Sequence, residues 1–167
     1  FQLTDDGRAF FFAYFKDPLQ LPFGVDAFLK QPWSLLTYGF MEGDSWALFT
    51  NMIWLWIFGS LIEDLRGTNR VLPIFWIGFI FSGALLLLVH TFYSLGSGLY
   101  MSTLAGVAAV AAAAITMKPN YGFYRIFNTS IPIFVFGIVF VILSFVFRGL
   151  DLASMIVFCG GALVGFL

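Results

Sequence analysis

Of 167 residues, 60% are hydrophobic, 20% are aromatic and only 10% are charged, and mean hydropathy reaches +0.95. A water-soluble domain of this length cannot hide that much apolar surface, so the chain reads as part of a membrane protein. Eight basic residues against nine acidic ones exclude a nucleic-acid footprint, and one Cys with one His excludes both a disulfide framework within the chain and a zinc site built from those residue types alone.

The first 44 residues differ in composition from the rest. They hold most of the early charges, including Arg8, Lys16 and Lys30, together with Pro18, Pro22 and Pro32. The apolar patch Ala9 to Phe15 is seven residues long, too short to cross a bilayer. Residues 1–44 are therefore expected to form an extracytoplasmic segment whose aromatic patch dips into the interface. The patch could instead be the tail of an upstream span, and the opening at Phe1 rather than Met fits an expectation that more chain precedes it.

Residues 45–167 are expected to form the transmembrane core. A helix needs about 20 residues to cross a hydrocarbon layer of roughly 30 Å. Ser45 to Ile62 carries no formal charge and stops at Glu63-Asp64-Leu65-Arg66, with Gly67 as a C-terminal signal. Val71 to Val89 follows, with Pro73 in its first turn, where a missing backbone donor does little harm. Thr103 to Met117 is Ala-rich and reaches roughly 22 Å at 1.5 Å per residue, too short to face lipid comfortably. Ile131 to Phe147 and Leu152 to Leu167 complete five predicted spans.

The Ala-rich span sets the expected architecture. Ala105, Ala108, Ala109 and Ala111 to Ala114 leave almost no bulk on any face, which permits close backbone approach where packing drives association. It should be the central helix, wrapped by the others. Gly160, Gly161 and Gly165 repeat the theme in the last span, so these two helices are expected to pack together. Arg66, Arg70, Lys118 and Arg125 place the loops after the first and third spans in the cytoplasm; the alternate side has only His90, between spans two and three, and Arg148, between four and five.

Gln31-Pro32-Trp33-Ser34-Leu35-Leu36-Thr37-Tyr38-Gly39-Phe40, followed by Asn51-Met52-Ile53-Trp54-Leu55-Trp56-Ile57-Phe58-Gly59, resembles the segment of rhomboid intramembrane serine proteases that enters their second transmembrane helix. Glu63, Gly67 and Arg70 match that family's Glu-xxx-Gly-xx-Arg turn, Lys118-Pro119-Asn120-Tyr121 is similar to bacterial members of the Bacteroidetes type, and Gly160-Gly161-Ala162-Leu163-Val164-Gly165 matches the last helix. The resemblance covers about four fifths of the chain. It implies an all-α polytopic membrane protein, a rhomboid-like bundle of six core helices around a short fourth, with the first family helix upstream of Phe1.

The resemblance also implies where catalytic groups should stand. A rhomboid uses a Ser nucleophile at the top of the short helix and a His base on the sixth, since a hydroxyl needs a base within reach to attack an amide. An Asn and a His of the second helix supply donors to the oxyanion. Counting from Asn51, which is retained, the family's two His positions on that helix fall on Glu42 and Ala47. Counting back from Pro119, the nucleophile position falls on Leu104; a slip of two residues would put it on Ser102 but leave Tyr100 where the motif has Gly. The base position, two before Gly160-Gly161, falls on Phe158, and residues 91–167 contain no His. A dyad of Ser102 with His90 is conceivable, whereas Lys118 lies at the opposite end of the helix from Ser102.

The expectation is thus a rhomboid pseudoprotease without a catalytic, cofactor or metal site. Integral to the membrane and plausible in a bacterial inner membrane, it would act as a scaffold or accessory subunit. Its partners would be lipids and other transmembrane segments or a larger membrane complex, and not nucleic acid. Contact is expected in a groove between the family's second and fifth helices, where Asn51, Ser102 and Thr103 could satisfy a partner's polar turn. Asn51 could equally cross-link helices internally. The alternative is an active rhomboid protease with an atypical site.

Overall fold

The computed structural model describes residues 17–42, 44–93, 99–126, 129–148 and 151–167. The aromatic patch Ala9 to Phe15 lies outside the described residues. In chain order the elements are β1 (Leu21–Pro22), α1 (Val25–Lys30), α2 (Ser34–Thr37), α3 (Ser45–Arg66), α4 (Val71–Phe92), β2 (Leu99–Tyr100), α5 (Leu104–Met117), β3 (Gly122–Ile126), β4 (Thr129–Pro132), α6 (Ile133–Arg148) and α7 (Leu152–Phe166). The architecture is an all-α membrane bundle: α3 and α4 are each 22 residues long and apolar enough to span, and α5, α6 and α7 are shorter apolar helices.

Helix α3 starts where Asp44 caps it, its carboxylate accepting from the Ala47 N–H at 3.2 Å. It runs through Glu63-Asp64 to Arg66, past the predicted end at Ile62, because charges are tolerated in a last turn that has left the apolar layer. Gly67 ends it at φ +87°, a conformation that favours glycine, and its N–H donates to the Glu63 carbonyl at 2.9 Å. The Glu63 turn is braced through this backbone bond.

Helix α5 is the centre. Leu104, Ala105, Val107, Ala108, Ala109, Val110, Ala111, Ala113 and Ala114 are all buried. Glycines on its neighbours make this possible. A Cβ at Gly161 or Gly165 of α7 would fall inside van der Waals contact of the Ala105 or Ala109 carbonyl oxygen, so the two backbones touch along a parallel register in steps of four. On the other side, Gly78 of α4 meets Ala109, and Gly106 leaves room for the Phe75 ring. Small residues on both partners, rather than long interdigitating side chains, hold the middle of the bundle.

Residues 17–42 are ordered by more than an interfacial loop would need. β1 pairs antiparallel with β2, setting Leu21 opposite Tyr100, and Tyr38 is fully buried with its hydroxyl donating to the Phe79 carbonyl of α4. Burial pushes the Tyr38 hydroxyl well above the usual phenol range, with Tyr100 adding to the shift. The Tyr38 carbonyl accepts from the Ser102 N–H at 3.2 Å, so the leading segment is stitched to the chain entering α5.

Candidate functional site

The polar chemistry of the bundle gathers at the N-terminal end of α5. A helix start leaves backbone N–H groups without intrahelical partners, and in an apolar surrounding these must be satisfied by side chains. Thr103, the residue before α5, makes no side-chain cap of its own. Instead the Ser102 hydroxyl accepts from the Leu104 N–H at 3.0 Å, and the Glu42 carboxylate accepts from the Thr103 N–H at 3.3 Å.

Glu42 is the hub. Its Oε2 also accepts from the Thr103 hydroxyl and from Asn51 Nδ2, each at 3.0 Å, while Asn51 Nδ2 lies 2.6 Å from Thr103 Oγ1. Asn51 and Thr103 are 4% and 8% exposed, so the knot is turned inward. Three segments are tied by it: the linker before α3, the second turn of α3, and the start of α5. Of the two roles left open for Asn51, the geometry has the internal cross-link.

The remaining positions singled out from the sequence stand as follows. Leu104 is fully buried at the first position of α5. Ala47 sits half-buried in the first turn of α3, where its backbone serves the Asp44 cap. Phe158 lies three residues before Gly161, which puts it level with Ser102 in the parallel α5 and α7 register. Its ring packs on Phe140 and Phe145 of α6, with centroids 5.8 and 5.3 Å away. Ser102 is fully buried. His90 stacks on Phe23 with centroids 5.5 Å apart and ring planes at 19°.

The space between the helices differs from the expected groove. Between α3 and α6, where the groove was expected, the Trp54 and Phe58 rings meet Phe140 at 5.5 and 5.7 Å. Bulky rings fill that seam. A cavity of about 280 Å³ lies instead between α3 and α4 over α5, lined by Phe40, Leu48, Met52, Leu55, Leu72 and Phe75 among others, with Asn51 and Thr103 at its edge. Because Glu42 engages both of those polar groups, the cavity presents an apolar wall.

Sequence reading missed the role of Glu42. The resemblance marked Glu42 only as standing at a family His position, whereas its capture of Asn51 and Thr103 depends on contacts 9 and 61 residues apart in sequence. The available signal was a second acidic residue beside the capping Asp44, just ahead of an apolar span that also carries an Asn.

The family model described as Rhomboid domain matches residues 29–167. No curated protein matches the chain.

Proposed function

The chain belongs to the rhomboid family, which includes serine proteases, and from that premise we propose that this member is a pseudoprotease, holding other transmembrane segments as a scaffold or accessory subunit without cutting them. The single observation that carries the reading is the Phe158 ring at the base position, packed between Phe140 and Phe145. Phenylalanine accepts no proton, and a hydroxyl without a base within reach is a poor nucleophile toward an amide.

The surroundings support the same reading. Leu104 offers no hydroxyl at the nucleophile position, and its N–H is engaged by Ser102. Ala47 offers no donor. Asn51, the one family group retained, donates to the Glu42 carboxylate rather than facing an open site. An incoming carbonyl would find its intended donors occupied by a stronger, charged acceptor.

Binding rather than hydrolysis then falls to apolar surface. Helix α3 exposes Trp46, Phe49, Met52 and Trp56, and α6 exposes Phe134, Ile138, Ile142 and Val146. In a bilayer such faces meet lipid or another helix by shape, since lipid is as apolar as they are. A bacterial inner membrane is the location this reading assigns.

The test combines two measurements on purified protein in mild detergent: labelling by a fluorophosphonate probe and cleavage of a model transmembrane substrate. The proposal expects neither, and expects an intact stoichiometric partner to co-purify from native membranes. Labelling abolished by Ser102→Ala, or substrate cleavage, would replace it with an active protease of atypical site.

A further inference from the structure

We propose that the hollow between the β1–β2 ladder and the start of α7 binds the ammonium headgroup of a phospholipid, choline or ethanolamine in type. The hollow measures about 610 Å³ and is lined by Phe23, Tyr93, Leu99, Tyr100, Asp151 and Leu152, with Ala153. Three of these side chains are aromatic and one is a carboxylate, the only acidic or basic group in the lining among the described residues. Aromatic faces and a carboxylate together attract a bulky organic cation, and repel an anionic headgroup.

The walls are held by contacts outside the hollow. Tyr100 is fixed by its pairing with Leu21 and by its hydroxyl, 3.2 Å from Ser154 Oγ. Phe23 is stacked on His90 and lies 6.4 Å from Tyr100 with the ring planes inclined at 44°, so the two rings form a corner rather than a closed stack. Asp151 is oriented by its cap on α7, where Oδ2 accepts from the Ser154 N–H at 2.9 Å. Tyr93, at the end of α4, is 73% exposed and stands as the open wall.

Position selects a lipid over a dissolved cation. The hollow lies where two apolar membrane helices end, α4 at Phe92 and α7 at Leu152, the depth at which headgroups sit. Exposed Leu99 and Leu152 continue its rim as apolar surface, suited to the glycerol and first acyl carbons below a headgroup.

Asp151 offers a clean substitution. Asn at this position keeps the helix cap and removes the charge. Native mass spectrometry would measure retention of phosphatidylcholine, phosphatidylethanolamine and phosphatidylglycerol, added in equal amounts to the intact protein in mild detergent. The proposal expects the two ammonium lipids to be retained about threefold over phosphatidylglycerol, the size an exposed cation–π contact supports. It also expects Asp151→Asn and Tyr93→Ala each to remove that preference while leaving the lipid-free melting temperature unchanged. Equal retention of phosphatidylglycerol, or a preference that survives Asp151→Asn, would overturn the proposal and leave Asp151 as a helix cap alone. Displacement of the lipid by a transmembrane peptide ending in lysine, but not by added phosphocholine, would overturn it in favour of a protein ligand.

Discussion

Asn51 on α3 and Thr103 at the head of α5 stand 2.6 Å apart, Nδ2 to Oγ1, and share one carboxylate oxygen of Glu42. Asn51 is thereby used to join helices. Its donors point at a residue of the same chain.

Removing Asn51 should therefore be a stability defect. Asn51→Ala leaves the half-buried Glu42 carboxylate and the buried Thr103 hydroxyl short of a donor, and unfolding in mild detergent should report a loss of about 1–2 kcal/mol. Thr103→Val should cost a similar amount, and the double variant should cost less than the sum, because both changes break one network.

The centre of the bundle predicts a sharper defect. A methyl group at Gly161 would collide with the Ala105 carbonyl, and one at Gly165 with the Ala109 carbonyl. Gly161→Ala should destabilise by about 2–3 kcal/mol, since a rigid backbone cannot yield as a side chain can. Cys159→Ala, on an exposed position of the same helix, should be near neutral.

Much of this was legible in the sequence, for physical reasons. Apolar runs report membrane crossing because every apolar residue adds to the same transfer energy, and Ala and Gly report close packing because their small side chains permit it. What escaped was specific to three dimensions. Glu42 and Thr103 meet across 61 residues, a distance no local pattern encodes. The seam between α3 and α6 is filled because Trp54, Phe58, Phe140 and Phe158 converge, and a list of aromatic residues does not say which rings share a face. The order within residues 17–42 was hidden for a like reason, since Leu21 finds its partner at Tyr100.

Alkaline pH should weaken the fold through Tyr38. Its hydroxyl is held protonated above the value near 10 that an unfolded chain would show, so ionisation favours the unfolded state once pH passes that point. Stability should be flat through neutral pH and fall above about pH 10, and Tyr38→Phe should flatten that fall while costing about 1 kcal/mol for the lost bond to the Phe79 carbonyl.

Rebuilding the family's catalytic groups should require more than nucleophile and base. Leu104→Ser with Phe158→His and Ala47→His should cleave a model transmembrane substrate poorly while Glu42 holds Asn51. Adding Glu42→Gln frees a weaker competitor for that donor and should raise the rate by about a hundredfold, the scale of one oxyanion contact. A rate unchanged by the fourth substitution would mean that Glu42 does not obstruct the site.

The most direct measurement is on the unaltered protein: incubation in proteoliposomes with a model transmembrane substrate and a fluorophosphonate probe, read by mass spectrometry at single-bond resolution. The account predicts an intact substrate and an unlabelled Ser102 after prolonged incubation. A substrate cut within its membrane segment, lost on Ser102→Ala or Thr103→Ala in a protein that still folds, would contradict it.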